Sequence, residues 1–277
     1  MARKISLFCW LGALLLLIFQ IGNVIIQTNY HVEFIDSRLF YSINLLLILL
    51  LSCSVIIHLR TKRWMMVAIL LFACLIGGYH IYKMVEENQT YEQIINFSPN
   101  KKEIFLATYE KNSQDLTYYR RYYYVFKRPK EIIDENARSY EKVEWLTNDI
   151  AVLPYINNEK EQQVYVGTYG DRGSGSSYYY VGSELHGEWS GDGIQISVTP
   201  DGIAINKGTD TFEYGWEATQ QYGTLALVLS NEETDEWVIG LGESFVATGN
   251  GTHSADASIV LYNPSNNKQM ILHYKES

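Results

Sequence analysis

The sequence predicts a multi-domain chain in which three transmembrane helices precede an all-β region, made of a small antiparallel sheet and then an up-and-down β-barrel or sandwich. Three observations predict it. Three apolar stretches lie within the first 85 residues; glycine is absent from 86–160 and dense afterwards; and charge reverses sign along the chain. Residues 1–85 hold seven Lys/Arg and two acids, a charge of +5, so the remainder carries −14 to reach the net −9. These shifts divide the chain into 1–85, 86–160, a Gly/Ser/Tyr-rich linker over 161–181 and an acidic unit over 182–277.

The apolar stretches run over about 5–26, 41–59 and 64–82, each near the roughly 20 residues that a helix needs to cross a bilayer. Ionisable residues appear only at their ends, where His58 and His80 lie. Arg3 and Lys4 precede the first stretch, and Arg60, Lys62 and Arg63 join the second to the third. Such cationic flanks stay cytoplasmic. The loop 27–40 has only Arg38, offset by Glu33 and Asp36, so it is expected outside, and an odd number of spans puts residues 83–277 outside with it. No small-x-small cleavage pattern follows Ile26, so the first stretch reads as an anchor rather than a signal peptide. Gln20, Asn23, Asn44 and His80 fall at one depth near the outer ends of the helices, where polar side chains hydrogen-bond between helices. The middles of the spans are leucine-rich, which suits packing and anchoring rather than a transport path.

Cys9, Cys53 and Cys74 all lie in the apolar stretches, so the region from 86 onward has no disulfide framework. In 86–160 a strand is predicted at Glu103 to Tyr109, a break at Asn112 to Asp115, and a second strand over the aromatic run Leu116 to Phe126. Pro129 interrupts the pairing, and Tyr140 to Leu146 with Ile150 to Tyr155 make a second hairpin. Alternation along the aromatic strand puts Tyr118, Arg120, Tyr122 and Tyr124 on one side, a Tyr/Arg strip suited to sugar rings, phosphates or a protein partner.

The blocks Phe97 to Lys102 (FSPNKK), Tyr122 to Pro129 (YYYVFKRP) and Trp145 to Val152 (WLTNDIAV) resemble uncharacterised Gram-positive, membrane-anchored extracytoplasmic β-domain proteins. The resemblance implies envelope localisation and no reaction. From Gly182 onward, short β-type runs alternate with turn pairs such as Asp192-Gly193, Lys207-Gly208, Asn250-Gly251 and Asn263-Pro264. Nine runs are predicted, among them Thr224 to Leu229 and Ser244 to Thr248, with Gln221 to Ser230 expected as a central strand. The opening Gly187-Glu188-Trp189 is similar to the start of lipocalin-like small barrels. A barrel of this size either fills with its own side chains or holds a small apolar ligand; the expectation is a filled one.

No catalytic, cofactor or metal motif emerges. Gly170 to Ser177 (GDRGSGSS) lacks the lysine and helix of a phosphate loop and reads as a flexible link. His186, His253 and His273 are too far apart for a zinc pattern, and Glu232 to Glu236 lacks the glycine and spacing of a calcium loop. Residues 161–277 have four bases against 16 acids, a surface that repels nucleic acid. The sequence therefore predicts a non-enzymatic binding or sensing protein of the cell envelope. Its expected partners are the lipid bilayer and another membrane protein or an envelope polymer. The alternatives are an auxiliary subunit of a transporter or export complex, and an envelope hydrolase with dispersed carboxylates.

Overall fold

The computed structural model describes residues 2–59, 62–173, 178–231, 234–248 and 253–275. Arg60, Glu232, Glu233, Asn250 and Gly251, on which expectations were placed, lie outside the described residues, as do the stretch 174–177 and the side chains of Arg3 and His58. The chain folds into two compact units: Met1–Ile94 with Leu106–Ile132, and Ile95–Phe105 with Ile133–Ser277.

In the first unit, α1 (Ala2–Tyr30), α2 (Arg38–Leu59) and α3 (Arg63–Thr90) are each long and apolar enough to cross a membrane. Backbone groups in hydrocarbon must be satisfied within the segment, which selects helix for such runs. Leu15, Leu71 and Leu75 are largely exposed, as apolar side chains facing lipid are. Helix α2 packs against both α1 and α3. The third helix outruns its apolar stretch by two turns and passes directly into a strand.

That strand is β2 (Tyr91–Phe97). With β1 (Glu33–Phe34), β3 (Ile104–Glu110), β4 (Leu116–Tyr122) and β5 (Phe126–Asp134) it forms a half-barrel sheet ordered β1-β5-β4-β3-β2. The aromatic run is a hairpin, not one strand: the chain reverses over 123–125, with Tyr123 at φ +55°. Strand β1 comes from the loop between α1 and α2, whose His31-Val32-Glu33-Phe34-Ile35 alternation is strand-like. It pairs with Phe126 and Lys127 alone, leaving the same edge of β5 without a strand partner at Pro129, where a missing N–H costs no ladder bond.

In the second unit, β6 (Ser139–Tyr140), β7 (Glu144–Thr147), β8 (Ile150–Ile156) and β9 (Gln162–Thr168) make a small antiparallel sheet. Strand β9 occupies the first part of the stretch expected to be a linker, and it pairs with β8 along its whole length. A one-turn helix α4 (Val181–Glu184) precedes nine barrel strands: β10 (Gly187–Gly191), β11 (Ile194–Thr199), β12 (Gly202–Lys207), β13 (Asp210–Tyr214), β14 (Thr219–Tyr222), β15 (Ala226–Asn231), β16 (Thr234–Leu241), β17 (Ser258–Asn263) and β18 (Lys268–Lys275). Their order β13-β12-β11-β10-β18-β17-β16-β15-β14 is an up-and-down meander whose first and last strands pair, so the sheet is a nearly closed barrel. The strand expected over Gln221 to Ser230 is instead the β14–β15 hairpin, turning at Gly223 with φ +56°, a conformation glycine adopts without a Cβ penalty. Residues 244–248 form no strand beyond a single bridge from Ala247 to Gly173.

Two cores result. Inward side chains fill the barrel: Trp189, Ile196, Ile205, Leu227, Ile239, Leu261 and Leu272 are among those almost fully buried there. On the outside of β15, β16 and β17, Val228, Val238 and Val260 pack against Ile150, Val152, Val164 and Val166 of the small sheet. Strands buried on both faces read as continuous apolar runs, which is why Leu225 to Leu229 lacks alternation.

Candidate functional site

The first unit holds a buried cation. Lys127 of β5, 3% exposed, stands opposite Glu33 of β1. Its Nζ donates to Thr108 Oγ1 at 2.9 Å, lies 3.7 Å from Glu33 Oε1 and sits 4.3 Å from the Tyr119 ring centroid. Burial pushes the Lys127 ammonium below its ordinary value, against the pull of Glu33. Burial likewise raises the Tyr119 phenol, helped by the Glu33 charge. Such an amine could serve as a nucleophile or an anion holder. Here its partners are the protein's own hydroxyl, carboxylate and ring, so the arrangement pins β1 to the sheet. Neighbouring contacts do the same: Ile35 N donates to Val125 O at 2.9 Å, and Phe34 stacks on Phe126 and Tyr30 on Tyr122 with ring centroids 5.0 and 6.4 Å apart. Gln93 of β2 donates to Ser37 Oγ at 3.1 Å.

This packing breaks the expected Tyr/Arg strip. Tyr118 is 1% exposed, Tyr122 is half-buried against Tyr30, Arg120 is exposed, and Tyr124 stands 91% exposed on the hairpin turn. The strip presumed one continuous strand, and the turn over 123–125 puts Tyr124 outside the alternation.

Among the helices, the Gln20 amide donates to Asn44 Oδ1 at 3.0 Å and to Phe40 O at 3.2 Å, joining α1 to α2 as expected. Asn23 is buried, yet neither amide atom has a hydrogen-bond partner among the described residues, and the same holds for His80 Nδ1. Matched depth thus brings together one pair of the four. Two further interhelical links escaped the sequence reading: Ser6 and Ser54 each donate to the other's carbonyl at 3.2 Å, and Tyr41 donates to Glu87 Oε2 at 2.6 Å. A serine or tyrosine in an apolar run carries no signal of which neighbour it will meet.

In the second unit, Trp189 is fully buried at the start of the barrel, its Nε1 donating to Leu185 O at 2.8 Å. The interior holds side chains, as expected. What is open is the wall. Strands β13 and β14 follow one another in the chain but, among the described residues, do not pair, and the gap between them is a seam of the meander. A groove of 840 Å³ lies there, with Phe212 and Tyr214 at its base and Glu213, Glu217 and Glu236 among its polar lining. Tyr214 Oη donates to Glu236 Oε2 of β16, and burial, then this carboxylate, raises the phenol's pKa. Glu213 and Glu217 are exposed.

Near the barrel, Arg172 grips Asp149 with both terminal nitrogens, Nη2 to Oδ1 at 2.8 Å, and donates from Nε to Gly242 O at 2.8 Å. Burial alone would raise the Asp149 carboxyl, but hydrogen bonds from Arg172 and Thr147 outweigh it and hold the group below its ordinary range. The stretch expected to be a flexible link therefore begins with a fixed arginine. In the acidic run, Asp235 is buried and accepts from Val164 N at 2.8 Å and from Ser230 Oγ at 2.6 Å, so it serves the fold. Among the described residues no three His, Cys, Asp or Glu converge as metal ligands. His253 lies against Trp189 and Tyr274, with ring centroids 5.0 and 4.6 Å away.

Fold and site together define a protein with membrane-type helices continuous with β-sheet, carrying a filled β-barrel. No protein-family model, curated protein or solved structure matches the chain.

Proposed function

We propose that this chain is a membrane-anchored binding or sensing protein of the bacterial cell envelope. It is non-enzymatic, with its N-terminus in the cytoplasm and residues 83–277 outside, in a cell of the Gram-positive kind that the sequence resemblance implies. The observation that carries the reading is the stitching of β-sheet to helix ends: β1, within the α1–α2 loop, is a strand of the half-barrel, and α3 runs without a break into β2. A passive anchor needs only a tether. A loop pinned by Lys127, Glu33 and Thr108 makes sheet and helices one body, so a load on the sheet is felt by the helices. The acidic groove in the barrel wall supplies a polar surface for recognition.

The test uses the full chain in nanodiscs, because cutting before residue 86 would remove β1 from its sheet. Tagged nanodiscs are exposed to purified envelope polymers, lipids and peptides and scored for retention. Saturable retention of one class is expected. Retention of none of them, with no membrane protein crosslinked to the helices in cells, would sink the reading.

A second reading, an auxiliary subunit of a membrane complex, is favoured by one feature. A 440 Å³ apolar groove between α2 and α3, lined by Leu51, Val55, Phe72 and Ile76, is shaped for another apolar segment.

A further inference from the structure

We propose that the open seam of the barrel accepts an extended basic peptide as an added strand between β13 and β14. The inference rests on the reading that this chain binds material outside the membrane, and it names the class of ligand.

Three features lead to it. The first is topological. Every neighbouring pair in the nine-strand meander is hydrogen-bonded except β13 and β14, although these two are joined by only a short turn through Trp216–Ala218. Consecutive strands so joined ordinarily pair, and unpaired edges are templates for another strand. The second is space: an 840 Å³ groove lies at the seam, lined by residues of β13, β14 and the turn that joins them, and by Ser230, Asn231 and Glu236. Strands β13 and β14 have five and four residues, so an inserted segment of about five residues at ~3.4 Å each would run their length.

The third is the chemistry of the two faces. Side chains of a strand alternate, so an inserted peptide would send every second residue inward and the rest outward. Inward lie Phe212 and Tyr214, already part of the barrel core, and they favour an apolar side chain. Outward lie the exposed carboxylates Glu213 and Glu217, and Glu236 lines the same groove. None of the three forms an ion pair within the described residues. They favour lysine or arginine. A second depression of 460 Å³ shares Glu213, Tyr214 and Gly215 with the seam and adds Asp201, extending the acidic surface over the outer wall. The fitting ligand thus alternates apolar and basic residues, and its backbone donors and acceptors complete the ladder on both sides.

The experiment uses the full chain in detergent or nanodiscs and three fluorescent hexapeptides: alternating Val and Lys, alternating Val and Glu, and the Val/Lys peptide with its central valine replaced by proline. Binding is read by anisotropy at low and high salt, and its location by hydrogen exchange. The Val/Lys peptide is expected to bind and to protect amides within 210–214 and 219–222. The acidic peptide is expected not to bind, and the proline peptide to bind at least about tenfold more weakly. The double variant Glu213→Gln/Glu217→Gln changes two exposed side chains and is expected to weaken Val/Lys binding by about tenfold with unchanged thermal unfolding. Equal binding of both charge signs, protection elsewhere, or no binding of the Val/Lys peptide would overturn the inference. Retention of another envelope class without the basic peptide would overturn this inference alone, whereas retention of nothing would take the broader reading with it.

Discussion

At the scale of single residues, the ion pair between Asp149 and Arg172 shows how a side chain outside any strand holds the β region in place. Removing the carboxylate leaves the guanidinium, only 10% exposed, with one carbonyl partner, Gly242 O. Loss of one member of a largely buried pair costs about 3 kcal/mol. Asp149→Asn is therefore expected to lower stability by about that amount at pH 7. The folded-state pKa is depressed, so the unfolded chain binds more protons as the solution is acidified. The stability that Asp149 contributes is fully present above the ordinary aspartate value of about 4 and is lost as pH falls through the depressed value. Thermal unfolding of the full chain in detergent, followed by tryptophan fluorescence between neutral and strongly acid pH, should show the deficit of the variant shrinking toward low pH. A deficit independent of pH would contradict the assignment. None of this was legible in the sequence, where Arg172 sits in a glycine-serine stretch and Asp149 in a turn. The pair depends on two loops 23 residues apart meeting in space.

At the scale of elements, closure of the barrel depends on β10 and β18 approaching closely. Gly191 ends β10 against the backbone of Ile271, and a Cβ there would overlap the Ile271 carbonyl oxygen. Backbone cannot yield as a side-chain tip does. Gly191→Ala should thus destabilise the chain by about 3 kcal/mol or more, the upper range for a single change, read as a lower urea midpoint. An unchanged midpoint would show that β10 and β18 do not need this contact.

Most of this architecture was readable. Turn pairs such as Asp192-Gly193 and Lys207-Gly208 fall where hairpins reverse, and the apolar stretches become helices. What stayed hidden were reversals inside uniformly strand-like runs. Tyr123 takes a positive φ within a run of five aromatic or β-branched residues, and Gly223 is flanked by residues that read as a continuing strand. Propensity reports what a residue prefers in isolation, whereas tertiary pairing decided both turns. The same limit dissolved the Tyr/Arg strip and left Lys127 unrecognised, since its burial depends on β1 arriving from a loop some 90 residues earlier in the chain.

At the scale of the whole molecule, the charge pattern and the number of spans make a single prediction about sidedness. A reporter enzyme fused after Ser277 should be accessible to an impermeant reagent on intact cells, while one fused before Met1 should be protected. The reverse labelling would remove the extracytoplasmic reading. Legibility at this scale was uneven. Hydropathy resolves the helices, but the filled interior and the unpaired seam emerge only when nine strands are arranged in a ring.

The ring also bears on how the protein is made. Strand β10 hydrogen-bonds to β18, which follows it in the chain by some 80 residues, with Glu188 opposite Lys275. Until β18 has left the ribosome, β10 has half of its neighbours and the Trp189 indole has no finished cavity to enter. A nascent chain stalled anywhere between β10 and Lys268 would display a raw, apolar sheet margin, so chaperone demand and vulnerability to quality-control proteases should persist until β18 has emerged.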